Sequence, residues 1–273
     1  MVDAFRPVNL EEALHIRASE RALVLAGGTD SMIKWGRFPR EERPVLYVGQ
    51  LKELRQIVLR EDELRIGAAC TLFELLESPL LPGCMKPPLA QMASPAIRNM
   101  ATIGGNLCNA SPAGDALPML YALDAVLCLR TETGEERVAV GDFILGPGRT
   151  RLGEEQLLTE IRISLRGNWR CAYRKVGMRR ANSLAKISFY AVADRAAGRL
   201  RDVRIAFGAV APTVVRNRAA EQAILAGARQ IQQIIDRYDA LLHPIDDVRS
   251  SQEYRRTVAL RLLKEYLKEE MRI

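Results

Sequence analysis

Apolar residues arrive in short runs broken by polar and glycine positions, and the spacing of each run decides which element it predicts. Asn9 ahead of Leu10-Glu11-Glu12-Ala13-Leu14 sets a capping residue before helix formers and predicts a helix to about Ser19. Ala22 to Ala26 is an uninterrupted small and apolar run, read as a buried strand, and it leads directly into Gly27-Gly28-Thr29-Asp30. Val45 to Val48, beyond the charged segment Arg40 to Arg43, predicts a neighbouring strand. Strand, turn, helix and strand in that order imply a small parallel or mixed α/β unit. From Gln56 the pattern alternates: Gln56 to Leu59 and Leu64 to Ala68 flank the polar Arg60 to Glu63 and predict a hairpin. Thr71 with Glu74 three residues later forms a capping box that opens a helix through Leu76. Pro79 to Pro88 reads as a loop, Leu89 to Met92 as the start of another helix, and Pro118 to Leu129 as a helix and a strand.

Arg166-Gly167-Asn168 marks a domain boundary. Beyond it, Trp169 to Val176, Ile187 to Ala193 and Val203 to Val210 read as three strands, a meander with helices packed on one face. Ala219 to Lys268 is mainly helical, with Ile231, Ile234, Ile235, Leu241 and Leu242 at helical spacing. The expected organisation is a first domain over 1–166, divided near residue 55, and a second over 167–273.

Two glycine turns stand out, Leu25-Ala26-Gly27-Gly28-Thr29-Asp30 and Ala101-Thr102-Ile103-Gly104-Gly105-Asn106. Paired glycines admit positive φ and bring N–H groups close to an anion, so two such turns suggest one phosphate-rich ligand held from both sides. Alone, the first turn serves equally as a plain loop or a phosphate cradle. It lacks the lysine and Ser/Thr of a Walker A loop and the spacing of G-x-G-x-x-G, so kinase, NTPase and Rossmann readings lose support.

Composition narrows the chemistry further. Within 273 residues, 48% are hydrophobic and 27% charged, and no apolar run approaches the roughly 18 residues of a membrane span. Met1 to Pro7 lacks the basic-then-apolar pattern of a secretory signal, so a cytoplasmic location is expected. Cys70, Cys84, Cys108, Cys128 and Cys171 are scattered and never in C-x-x-C spacing, which argues against disulfides, zinc and iron–sulfur clusters in this chain. With only His15 and His243, no hydrolytic triad assembles. The charge of +7 is spread among pairs such as Arg174-Lys175, Arg179-Arg180 and Arg255-Arg256, and aromatics are 5%; this fits a solvated face or an acidic protein partner better than nucleic acid.

The second turn continues through Leu107-Cys108-Asn109-Ala110-Ser111-Pro112-Ala113-Gly114-Asp115. An A-G-G-T-D turn near the N-terminus and a T-I-G-G-N turn followed by A-S-P-x-x-D closely resemble the FAD-binding subunit of the molybdenum hydroxylases, the group of xanthine dehydrogenase and aerobic carbon monoxide dehydrogenase. The resemblance extends through Tyr173-Arg174-Lys175-Val176-Gly177 and Gly208 to Pro212 as far as Arg216, nearly the whole chain. It implies an α+β protein: an FAD-binding domain of two α/β subdomains, then a C-terminal domain of a three-stranded antiparallel sheet with helices.

The resemblance also implies a set of cofactor-binding residues. Leu25, Ala26, Gly27, Gly28, Thr29, Asp30 and Ser31 on one side, and Thr102, Gly104, Gly105, Asn106, Cys108 and Asn109 on the other, would contact the cofactor. Its pyrophosphate would lie between backbone groups of Ala26 to Asp30 and those of Gly104, Gly105 and Asn106, with hydrogen bonds added by the Thr29 and Thr102 hydroxyls. Gly114 and Asp115 follow, Asp115 either accepting from ribose or adenine or serving as a plain N-cap. Lys175 matches a family lysine near the isoalloxazine edge; as a bare residue it reads equally as an exposed strand lysine. Leu158 is a flavin-pocket wall or an ordinary core leucine. Asn182 is neutral where NAD-using relatives can carry an acidic residue, which counts against NAD. No catalytic acid or base and no metal ligand emerges.

In that family the substrate is oxidised at a molybdenum–pterin cofactor on one partner subunit, electrons cross [2Fe–2S] clusters on another, and FAD hands them to an external acceptor. The same residues leave open a free-standing flavin oxidase or reductase, or an assembly module without cofactor.

Overall fold

A computed structural model describes residues 3–36, 43–179 and 182–272. Arg40 to Glu42 of the charged segment, Met1 and Val2 of the N-terminal stretch, and Arg180 of the second basic pair lie outside the described residues. Contacts divide the chain into two units: Met1–Leu81 with Ser94–Ala110 and Ala125–Leu165, and Pro82–Ala93 with Ser111–Asp124 and Arg166–Ile273. A last crossover between Leu165 and Arg166 coincides with the composition break, but two earlier segments are packed with the C-terminal unit.

The first unit opens on the helix Leu10–Glu20, whose N-cap Asn9 accepts from the Glu12 N–H through its side chain. Its inward stripe is Leu10, Ala13, Leu14 and Arg17, the i, i+3, i+4, i+7 spacing of one helix face. That face packs with Leu46, Val48, Leu51 and Leu54. The strands Ala4–Phe5, Val45–Tyr47 and Leu23–Leu25 lie parallel in that order, which leaves Leu23–Leu25 on an edge. The larger sheet of the unit is five-stranded and antiparallel, ordered Ile57–Arg60, Glu63–Gly67, Leu157–Ser164, Val126–Arg130 and Glu135–Ala139. The expected hairpin is present, and so is the reciprocal Thr71–Glu74 capping box on the helix Leu72–Glu77.

One expectation fails locally. Pro79 to Pro88 is not a plain loop but carries a 3-10 turn Gly83–Met85 and a helix Lys86–Ala90. Pro87 and Pro88 fall in the first helical turn, where N–H groups have no intrahelical acceptor and proline costs nothing.

In the second unit Trp169–Gly177, Ala185–Ala196 and Arg199–Gly208 form the antiparallel meander, extended by the short strand Val215–Arg216. Both faces of this sheet are covered, where a single helical layer was expected. Ile187, Phe189, Val203, Ile205 and Phe207 face the helices Arg218–Leu225, Ile231–Asp239 and Gln252–Glu265. On the opposite parity the Tyr190 hydroxyl donates to the Cys84 carbonyl at 2.9 Å, and Gly208 lies so close to Pro118 that a Cβ would sit 2.9 Å from its ring. Burial on both faces explains the near-continuous apolar run of Ala185–Ala196. Among the described residues no helix is long and apolar enough to cross a membrane.

Candidate functional site

The edge strand Leu23–Leu25 releases the chain into the first glycine turn, where Gly28 takes φ +70°, a left-handed value that penalises any Cβ. Gly27 is required for a different reason. A Cβ there would lie 1.9 Å from the Met100 carbonyl oxygen, so this turn rests directly on the backbone that enters the second one.

The second turn is the start of a helix, Ile103–Asn109, capped by Thr102, whose hydroxyl accepts from the Gly105 N–H at 3.0 Å. Gly104 donates to the Ala68 carbonyl at 2.9 Å, and a Cβ on it would be 2.6 Å from that oxygen. Asn106 donates to the Thr102 carbonyl at 3.0 Å. The three N–H groups of Gly104, Gly105 and Asn106 therefore already have acceptors in the protein. The first turn differs: among the described residues, no acceptor is found for the N–H groups of Gly27, Gly28, Thr29, Asp30 and Ser31.

These two turns border a cavity of about 370 Å³. Of the residues expected from sequence, Leu25 through Ser31, Thr102, Gly104, Gly105, Asn106, Cys108, Asn109 and Leu158 all line it. Leu158 is 7% exposed and is both core residue and wall. Burial pushes the Cys108 thiol up to about 12, which keeps it protonated and makes it a wall rather than a nucleophile. Asn109 accepts from the Lys34 ammonium at 3.1 Å.

Sequence reading missed several lining residues: Arg17, Lys34, Arg43, the close-packed Ala68 and Ala69, and Gly148, Thr150 and Leu152 near the expected Leu158. Arg17 had one signal, a charged residue on the inward stripe of its helix. Among the described residues the lining carries Arg17, Lys34 and Arg43 against the carboxylate of Asp30, a balance that favours an anion.

Gly114, Asp115 and Lys175 do not line this cavity; they belong to the second unit. Asp115 stands at the N-cap of the helix Ala116–Ala122 yet makes no side-chain cap bond. Its Oδ2 instead accepts from Lys175 Nζ at 2.6 Å, with the two side chains 6% and 7% exposed. Lys175 also donates to the Gln91 carbonyl at 3.0 Å, so it is a buried ion-pair partner and not an exposed strand lysine. Burial lifts the Asp115 carboxyl to about 6, against the opposing pull of the Lys175 charge. Asp115 Oδ1 and the Tyr173 hydroxyl, both buried, fall short of hydrogen-bond geometry with any partner among the described residues, yet the hydroxyl lies near enough to the Asp115 carboxyl to favour its charged form.

The donor set of the first turn fits FAD. A row of unpaired amide N–H groups around a left-handed glycine, in a cavity rich in cations, satisfies a diphosphate without a Walker lysine.

Comparison with known proteins agrees. Residues 1–165 match the FAD binding domain in molybdopterin dehydrogenase, and residues 172–270 match the CO dehydrogenase flavoprotein C-terminal domain. The putative xanthine dehydrogenase FAD-binding subunit of Escherichia coli K12 is 31% identical over 261 residues, covering 92% of this chain and 89% of its own. The carbon monoxide dehydrogenase medium chain of Hydrogenophaga pseudoflava is 29% identical over 258 residues, covering 90% of this chain and 88% of its own. A solved carbon monoxide dehydrogenase from the same organism superimposes with a TM-score of 0.88 at 27% identity, covering 97% of this chain and 95% of that one. This chain belongs to the FAD-binding, medium-chain subunits of the molybdenum hydroxylase family of oxidoreductases, the xanthine dehydrogenase and carbon monoxide dehydrogenase type.

Proposed function

We propose that the chain is the electron-transfer subunit of a larger complex, taking electrons from the [2Fe–2S] clusters of an iron–sulfur partner and passing them to an external acceptor. Substrate oxidation falls to a separate molybdenum-cofactor subunit, and the assembly works in the cytoplasm. The observation that carries this reading is the glycine-lined cavity with its unpaired N–H row. FAD, when bound, supplies a carrier that accepts electrons singly and releases them singly or in pairs.

The chain's own residues hold and orient that carrier. Gly27 through Ser31 offer N–H groups to the diphosphate, while the helix of Thr102 to Asn109 and Leu158 form the walls. By resemblance, Gly114, Asp115 and Lys175 of the second unit are also proposed as cofactor-binding residues, Asp115 and Lys175 acting as one buried polar pair. The charge of +7 favours docking of an acidic partner.

The test is to recover the tagged full chain from its source cells and assay the recovered material for iron, molybdenum and flavin. The reading requires all three, with the iron and molybdenum on separate polypeptides. A yellow chain recovered alone and turning over without partners would establish the free-standing flavoenzyme instead; a colourless one would establish the assembly module.

A further inference from the structure

Arg17 occupies a position where its helix calls for an apolar residue. It completes the inward stripe of Leu10, Ala13 and Leu14 and is 8% exposed. Its guanidinium donates from Nε to the Gln156 carbonyl at 3.1 Å, from Nη1 to the Ala22 carbonyl at 2.5 Å and from Nη2 to the Gly153 carbonyl at 3.0 Å. All three acceptors are neutral, and among the described residues no carboxylate reaches ion-pair distance of it; Glu154, paired with Arg21 at 3.6 Å, acts on it only at longer range. Taking a cation out of water without a counter-charge is costly, and a leucine here would complete the stripe at no such cost. A guanidinium carries five N–H groups, so two remain after these bonds.

Those bonds also fix where the charge sits. Ala22 stands just before the edge strand that feeds the first glycine turn, and Gly153 and Gln156 stand just before Leu157 and Leu158. Arg17 thus ties together two walls of the cavity that it lines itself.

We propose that Arg17 is the buried counter-charge for the phosphate groups of FAD, a binding residue on the first helix that lies outside both glycine motifs. The inference rests on the FAD reading and deepens it. The bound anion supplies the close counter-charge that Glu154, acting on Arg17 only from beyond ion-pair distance, does not, and the cation sits in position before the anion arrives.

The experiment uses the full chain stripped of cofactor, as wild type, Arg17→Met and Arg17→Lys. FAD and riboflavin are titrated separately at low and high salt, and inorganic pyrophosphate is scored by thermal shift. Expected are a loss of about tenfold or more in FAD affinity for Arg17→Met, unchanged riboflavin affinity, and a salt dependence weaker than in wild type. Arg17→Lys keeps the charge and retains most of the FAD affinity. Wild-type FAD affinity in Arg17→Met overturns the proposal, as does an equal loss for FAD and riboflavin, which would mean that the cavity had merely collapsed. If Arg17→Met does not fold, pyrophosphate must still raise the melting temperature of wild type and Arg17→Lys, and its failure to do so overturns the proposal. A wild type that binds pyrophosphate through Arg17 but refuses FAD sinks the FAD reading alone, while one that binds neither sinks both.

Discussion

At Gly27 the nearest obstacle to a side chain is the Met100 carbonyl oxygen, 1.9 Å from where a Cβ would stand, whereas at Gly28 a Cβ would make only ordinary contacts, 3.5 Å to Leu25 and 3.7 Å to Met32, and the φ of +70° is what resists. The two glycines therefore differ in what they tolerate. Gly27→Ala is expected to cost at least about 3 kcal/mol and Gly28→Ala about 1–2 kcal/mol, read by denaturant unfolding. Equal costs would contradict the back-to-back arrangement of the turns. Arg216 is a second fixed point: it pairs with Glu221 at 2.9 Å and Asp124 at 2.7 Å, and donates to the Tyr121 carbonyl at 2.7 Å. Glu221 in turn accepts from the Ile205 N–H at 2.8 Å, so Arg216→Ala leaves a buried carboxylate and should cost about 3–5 kcal/mol. Asp115 gives a pH signature. Its folded pKa of about 6 exceeds the unfolded value of about 3.9, so the folded state holds the proton more tightly. The stabilisation is complete below about pH 4 and is lost as pH rises through 6, a swing of about 3 kcal/mol. The stability of wild type relative to Asp115→Asn should fall over pH 4 to 6 and stay flat above 7; a flat difference throughout would refute the burial argument. Neither Gly27 nor Asp115 announced its partner locally. Asp115 and Lys175 meet across sixty positions, and only Arg17 left a trace, as the charge in an apolar stripe.

Among the elements, the helix Ala116–Ala122 is buried at all seven positions and packs on the strands Ala185–Ala196 and Arg199–Gly208. A chain started at residue 167 would lack it and bare the Tyr190 and Gly208 side of the sheet. Such a fragment is expected to show loose tertiary packing by near-ultraviolet circular dichroism. A sharply folded fragment would instead support an independent domain at the 166–168 boundary. Strands of nine to twelve residues and capped helices were legible because they repeat a period or carry a cap, as Asn9 and Thr71 do. Ala4–Phe5 and Val215–Arg216 are two-residue strands with no period to read, fixed only by their neighbours. The sheet's second cover was hidden because its segments lie far upstream in sequence.

For the whole molecule, the two glycine motifs made the family and the cavity legible, since each is a short, ordered string of residues. The division of labour between the turns was not, because it depends on which N–H groups the fold itself uses. Gly104, Gly105 and Asn106 spend theirs on Ala68 and Thr102, and Gly27 to Ser31 keep theirs free among the described residues. The most direct measurement of the central claim is the visible absorption spectrum of the purified full chain, followed by titration of the stripped protein with FAD. The account predicts flavin bands and stoichiometric uptake of FAD, lost in Gly28→Val. A colourless chain that takes up no FAD, or a Gly28→Val protein that binds it as wild type does, would contradict it.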